Sequence, residues 1–379
     1  MIEKLRRNSI SLLTFIKRFR VIDKSVQDVL IIDEVNSDAI KYCIPSLNSY
    51  VVIPVRKNIP IVLNIKFFVR YILRVISKDG IRLSALYSII DILDPKVIIS
   101  FNDSAIKMGQ IQTSFPNKLV ISVQNGLRTN RNKFPPIVPH LYGFGYYEKD
   151  LLSDLDSLVQ GYEAVGSLKY GIFREKQNTV VLNKYDICFI SQFSFHNEEL
   201  FFADIEKKYF DRIVDLCEKK KYSLSVALRT PKENPFHSLE LEHFQKLDKN
   251  NYATYVDGNQ AIFSSYALAL SSNLIVSIQS TLAYELFGAG KKVLFLGSGI
   301  KELIKHNGTE KNFSRMPNEV LFNNSSSSES LEKKVTELIL MPDDEYISTS
   351  ASAKKYYMNF NDEYPHKIIK KRISNFINA

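Results

Sequence analysis

Four stretches of the sequence gather side chains able to do chemistry at the ends of apolar runs. The first, Ser100-Phe101-Asn102-Asp103-Ser104, closes the run that begins at Lys96. A carboxylate there can take a proton from an attacking hydroxyl or attack as a nucleophile, although Asn, Asp and Ser also make ordinary helix caps. The second is Val123-Gln124-Asn125-Gly126-Leu127-Arg128. Gly126 permits a tight turn, the two amides can donate and accept, and Arg128 can hold a carboxylate or phosphate bidentately. A plain Asn-Gly turn accounts for the glycine but not for the Gln and Arg beside it. Asp103, Gln124 and Asn125 are therefore the catalytic candidates, with Gly126 and Arg128 on the substrate.

The third stretch, Ser225 to Lys232, releases Arg229 and Lys232 from a strand end, where they can neutralise a nucleotide phosphate or serve only as solvated charge. The fourth runs Val276-Ser277-Ile278-Gln279-Ser280-Thr281-Leu282-Ala283-Tyr284-Glu285. A helix opening at two hydroxyl residues offers free amides to an anion, and Glu285, one turn in, can grip a ribose. Ser277, Ser280, Thr281 and Glu285 join Arg229 and Lys232 as the nucleotide group. Ser and Thr as simple caps are the plainer alternative.

Other chemistries find no support. Asp154-Leu155-Asp156 has the spacing of a metal pair but falls in a polar helical stretch, and the 6 histidines form no ligand pair. No metal and no cofactor are expected. Phosphate-loop and dinucleotide fingerprints are absent, as is Gly-x-Ser-x-Gly. Cys43, Cys188 and Cys217 are too scattered for a disulfide framework or a zinc site, which suits a reducing cytoplasm.

The elements that must position these residues follow one rhythm. Short β-rich apolar runs alternate with longer mixed segments, the sequence form of a parallel sheet wrapped by helices. Strands are expected at Asp28 to Ile32, Tyr50 to Pro54, Lys96 to Ser100, Leu119 to Val123, His140 to Phe144 and Glu163 to Val165. Helices are expected at Ile61 to Ser77 and Leu83 to Leu93. A polar stretch, Lys176 to Lys184, reads as a linker. The alternation then restarts with strands at Tyr185 to Ser191, Leu224 to Leu228, Tyr252 to Tyr255, Leu274 to Ile278 and Lys292 to Leu296. The expected division is a first Rossmann-like domain over 1–175, a second over 185–355, and a C-terminal helix in 356–379 packing back on the first. At 379 residues, one fold alone would be unusual.

The apolar stretch Ile61 to Ile76 is broken by Lys66, Arg70 and Arg74, short of the ~20 uninterrupted residues of a membrane span, and no signal peptide is read at the N-terminus. Net charge is +9, with Lys4, Arg6, Arg7, Lys17, Arg18 and Arg20 around an apolar set near the start. Such a segment can lie on anionic lipid or be a solvated helix face. No zinc-finger spacing, RNA-recognition motif or basic zipper points to nucleic acid. The expected location is the cytoplasm, peripheral on the inner face of the membrane at most.

With these residues assembled, the chain resembles bacterial surface-carbohydrate enzymes of the GT-B glycosyltransferase type, in particular the group that includes retaining β-Kdo transferases. The resemblance is carried, in order, by Val97 to Asp103, Ile121 to Arg128, Phe144 to Tyr147, Val165 to Lys169, Ile187 to Gln192, Val226 to Arg229 and Ser277 to Glu285. It implies an α/β fold of two Rossmann-like domains facing each other across a cleft. The second would hold a nucleotide-sugar donor as co-substrate and the first a glycan or lipid-linked glycan acceptor. For a 2-keto acid sugar such as Kdo from CMP, Arg128 or Arg229 would meet the carboxylate. Where some capsule enzymes of that group carry Glu-Asp-Gly, this chain has Gln124-Asn125-Gly126, with an amide in place of each carboxylate. Two other readings compete: a nucleotide-sugar epimerase of the same architecture, and a catalytically silent partner in polysaccharide assembly.

Overall fold

The structure is a computed structural model, and it describes residues 19–20, 28–33, 37–46, 49–55, 61–62, 65–76, 81–101, 106–128, 137–177, 184–193, 200–258, 264–297, 313–322 and 327–379. Asp103, the basic residues Lys4 to Arg18 and most of the expected linker lie outside them.

Besides one short parallel pair of two-residue strands, eleven strands and thirteen helices carry the fold among these residues. In chain order they are β1 (Val29–Ile32), α1 (Ser37–Lys41), β2 (Tyr50–Ile53), α2 (Ile65–Ile76), α3 (Ile81–Leu93), β3 (Val97–Ser100), α4 (Ile106–Ser114), β4 (Leu119–Val123), β5 (Ile137–Gly143), α5 (Tyr147–Asp154), β6 (Leu158–Ala164) and α6 (Leu168–Lys176). The second half adds β7 (Tyr185–Ile190), α7 (Leu200–Lys220), β8 (Leu224–Ala227), α8 (His237–Leu247), β9 (Thr254–Val256), α9 (Ser264–Leu270), β10 (Ser272–Ser277), α10 (Thr281–Gly288), β11 (Lys292–Phe295), α11 (Ser328–Leu340), α12 (Asp343–Tyr357) and α13 (Pro365–Asn378).

Two sheets result, both wholly parallel. The first runs β2-β1-β3-β4-β5-β6 and the second β9-β8-β7-β10-β11. Their central strands, Val29-Leu30-Ile31-Ile32 or Ile187-Cys188-Phe189-Ile190 for example, are buried along their length. That is why they read as continuous apolar runs rather than alternating ones, since helices cover both faces of a parallel sheet. One face of the first sheet packs Val29, Ile31, Val97 and Ile99 against α13, and the other packs Leu30, Ile32 and Ile98 against α2 and α3. The second sheet has its own larger core, which also takes in Phe144, Tyr147, Tyr170 and Phe173 from the first half. The architecture is α/β of the GT-B type.

Differences from expectation sit at edges. β6 starts at Leu158, five residues before the expected Glu163, because an edge strand with alternating exposure carries little apolar signal. The inner strand β5 begins at Ile137 rather than His140. Ile61–Val62 does not join the helix after it but pairs in parallel with Phe19–Arg20. The chain returns at its end: Asn359 N donates to Phe144 O at 2.7 Å, and Ile369 and Ile373 of α13 are fully buried in the first sheet's core.

Candidate functional site

Each sheet reverses its strand order once, between β1 and β3 and between β7 and β10. Beyond the carboxyl ends of strands at such a reversal, diverging loops leave a crevice. The cavity found there has a volume of about 440 Å³ and takes residues from both halves, within the size range of small-ligand sites. Asp38 and Ala39 of α1, Asn125 after β4 and Lys169 of α6 come from the first half. From the second come Ser191 after β7, Leu228 and Arg229 after β8, Ser265 and Tyr266 of α9, and Ser280, Thr281, Leu282 and Glu285.

Of the residues singled out from the sequence, Asn125, Arg229, Ser280, Thr281 and Glu285 meet at this cavity. Ser280 is the N-cap of α10 and its side chain makes no capping bond. The first-turn amides of Thr281 and Leu282 have no acceptor within the helix, so they present a partial positive charge at the cavity wall. The Arg229 guanidinium is anchored on the Gln192 and Phe193 carbonyls at 2.7 and 3.3 Å. Its backbone N–H and that of Thr230 donate to the buried Glu240 at 2.7 and 2.9 Å, which sets the loop after β8. Thr281 also joins the two halves, since Leu127 N donates to its Oγ1 at 3.4 Å.

Glu285 is a buried carboxylate on this wall. Ser167 Oγ donates to Oε1 at 2.5 Å and Tyr266 OH to Oε2 at 2.7 Å. Burial pushes its pKa up, opposed by those two donors and by the Lys169 ammonium. Burial in turn pulls Lys169 down, with Glu285 opposing. Ser167 caps α6 by accepting from Tyr170 N at 3.2 Å while donating to Glu285, so one hydroxyl fixes both a helix start and the carboxylate.

Other expected residues stand elsewhere. Gln124 is buried behind the cavity: its Oε1 accepts from Phe144 N at 2.6 Å, and its Nε2 donates to Gly126 O at 3.0 Å and Glu148 Oε2 at 2.9 Å. It shapes the turn rather than facing a substrate. Asn125 presents itself because Nδ2 is tied to Phe101 O at 2.7 Å and Oδ1 accepts from Arg128 Nη2 at 3.3 Å. Arg128 and Gly126, both partly buried, do not line the cavity. Arg128 is largely buried, which lowers its pKa, with Glu148 opposing. Ser277 is fully buried, and its Oγ accepts from Ser280 N at 3.1 Å, holding the loop into α10. Lys232 is exposed and does not line the cavity.

Asp38, Ser167, Lys169 and Tyr266 escaped the sequence reading as site residues. Ser167 and Lys169 lie in the Val165 to Lys169 stretch, whose position after β6 is the signal that would have found them. Among the described residues no group of three or more His, Cys, Asp or Glu is placed to hold a metal ion.

Solved structures share this architecture at low identity. S. aureus MnaA bound to UDP is 14% identical, with 93% of this chain and 96% of that one covered and a TM-score of 0.54. The Methanocaldococcus jannaschii UDP-GlcNAc 2-epimerase in complex with UDP-GlcNAc and UDP is 12% identical, covering 92% and 98% at 0.53. A variant of the wall teichoic acid polymerase TagF is 11% identical, covering 94% and 91% at 0.54. No curated protein matches the chain. The family model whose description reads "putative O-antigen biosynthesis protein" matches residues 121–371, from β4 through α13 and so across both sheets. By that match, which spans well over half of its length, the chain belongs to this O-antigen biosynthesis protein family.

Proposed function

We propose that the protein is a glycosyltransferase of surface-polysaccharide assembly that binds a nucleotide-activated sugar in the cavity between its sheets. The observation that carries this reading is the convergence of Ser280, Thr281, Arg229 and Asn125 from both halves on one 440 Å³ cavity. The α10 amides and Arg229 would meet the donor phosphate, since a helix start and a guanidinium both favour an anion. Glu285 retains lone pairs for a ribose hydroxyl, while Lys169 and Asn125 would face the sugar. Asp103, which follows β3 in sequence, would serve as base or nucleophile on the acceptor side. A 2-keto acid sugar on a CMP donor fits the same scheme, with Arg229 meeting its carboxylate. Three free, buried cysteines fit a cytoplasmic protein.

Relatives in fold include UDP-GlcNAc 2-epimerases, so the test must separate the chemistries. The protein is incubated with a panel of nucleotide sugars, with and without EDTA, and both nucleotide release and sugar configuration are followed. Slow release of nucleotide from one donor, unaffected by EDTA, supports the transferase. Inversion at a sugar carbon with the nucleotide still attached would make it an epimerase, and binding without either would make it a silent partner.

A further inference from the structure

In the second sheet β7 lies between β8 and β10, and Gln192, Arg229 and Gln279 each stand two residues past the end of one of these strands. Arg229 is on one side of Gln192 and the start of α10 on the other, so the residue after the middle strand is placed to reach both. Gln192 does so with its two carbonyl oxygens. The backbone oxygen accepts from Arg229 Nη1 at 2.7 Å, and the side-chain Oε1 accepts from Gln279 N at 3.1 Å. A backbone N–H can only donate, which settles which end of the Gln192 amide faces it. Gln192 is held in turn from behind: its own N–H donates at 2.6 Å to Oε1 of Glu206, a carboxylate 1% exposed.

These bonds decide which donors remain for a ligand. Arg229 Nη1 donates to the carbonyls of Gln192 and Phe193, and the fork still has Nε and Nη2 to offer an anion. At the entry to α10 the amides of Gln279 and Ser280 are taken by Gln192 Oε1 and Ser277 Oγ. Among the described residues those of Thr281 and Leu282 have no acceptor. Two anion-binding groups on separate loops act together on one phosphate only if their spacing is fixed, and a misplacement of about 1 Å is enough to lose much of the effect. Gln192 does not line the cavity, so it acts through these groups rather than on the ligand. We infer that Gln192 is the positioning residue of the phosphate site, holding the Arg229 guanidinium and the α10 start at the spacing that a nucleotide phosphate spans. The inference rests on the functional reading above, in which a nucleotide binds here, and adds what sets the geometry.

Calorimetric titration of CMP, UDP, GDP and CDP, and of the matching nucleosides, separates the phosphate from the rest of the ligand. Gln192→Met keeps the length of the side chain without the acceptor. It should bind the nucleotide that wild type binds about fivefold to tenfold more weakly, the loss of one hydrogen bond, and the nucleoside as wild type does. Gln192→Asn, which draws the amide back by one methylene, should lose as much. In an Arg229→Ala background Gln192→Met should cost less than about twofold, because the two act as a unit. Nucleotide affinity equal to wild type, an equal loss for nucleoside and nucleotide, or the full loss persisting without Arg229 would overturn the inference alone. Failure of both Gln192 variants to fold would also overturn it, assigning the residue to the fold. No nucleotide binding by wild type would bring down the functional reading and this inference with it.

Discussion

Glu148 sits on α5 directly behind Gln124, 1% exposed, with Oε1 lacking a hydrogen-bond partner. Burial pushes its pKa up to about 8, against the opposing Arg128 guanidinium and the Gln124 amide. The folded protein therefore holds a proton that the unfolded chain releases near the usual carboxylate pKa, and stability falls as pH rises from about 5 through 8. Glu148→Gln keeps the bond to Gln124 and removes the titration. Its stability relative to wild type should be near zero change at pH 5 and grow by an order of a few kcal/mol by pH 8. Urea unfolding across that range checks it, and a difference independent of pH contradicts the assignment. Glu206, raised to about 8 by burial as well, is common to both proteins and cancels.

Asp103 is the residue on which the catalytic reading depends. Asp103→Asn preserves shape and capping but removes the ionisable oxygen, so turnover should fall ~10²–10⁴-fold while nucleotide affinity stays. Normal turnover would shift attention to Asp38, the first-half carboxylate that lines the cavity. Ser280, Thr281, Arg229, Asn125 and Glu285 were legible in the sequence because each follows an apolar run at a spacing that a strand and a helix start impose. Gln124 is buried off the cavity, and its contacts with Phe144 and Glu148, about twenty residues on, are what the sequence does not display. Tyr266 and Asp38 stayed hidden because their relevance arises from packing between halves.

At the scale of elements, buried strands were the most legible: β4 was anticipated to the residue. Edge strand β6, half exposed, was not. The joint between halves depends on the loop after β6, where Gly166 adopts φ +80° and a Cβ would lie 2.4 Å from the Phe360 ring. Both effects oppose a side chain. Gly166→Ala should therefore destabilise by roughly 1–3 kcal/mol, read as a lower melting temperature. It should also weaken nucleotide binding, because Ser167 next to it holds Glu285. A variant as stable as wild type would show that the C-terminal return does not depend on this close approach.

For the whole molecule, the two halves form one site only because the chain crosses twice. The first crossing joins α6 to β7, and the second brings α13 back onto the first sheet. Tyr170 and Phe173 of α6 pack on Tyr266, with ring centroids 5.6 and 5.3 Å apart, close to the Ser167–Glu285 bond. Among the described residues no helix is long and apolar enough to cross a membrane. Two parallel sheets were readable from the rhythm of the sequence; how their loops interlock was not, since that depends on contacts more than a hundred residues apart.

Nucleotide binding between the halves is tested most directly by calorimetric titration of CMP, UDP, GDP and CDP into wild type and Thr281→Val. One of these nucleotides should bind wild type one to one, and Thr281→Val, folded as judged by its melting temperature, should bind it roughly tenfold or more weakly. That is the loss of one hydrogen bond to a charged group, about 1.5–3 kcal/mol. Equal affinity in the two proteins, or no binding of any nucleotide to wild type, would contradict it.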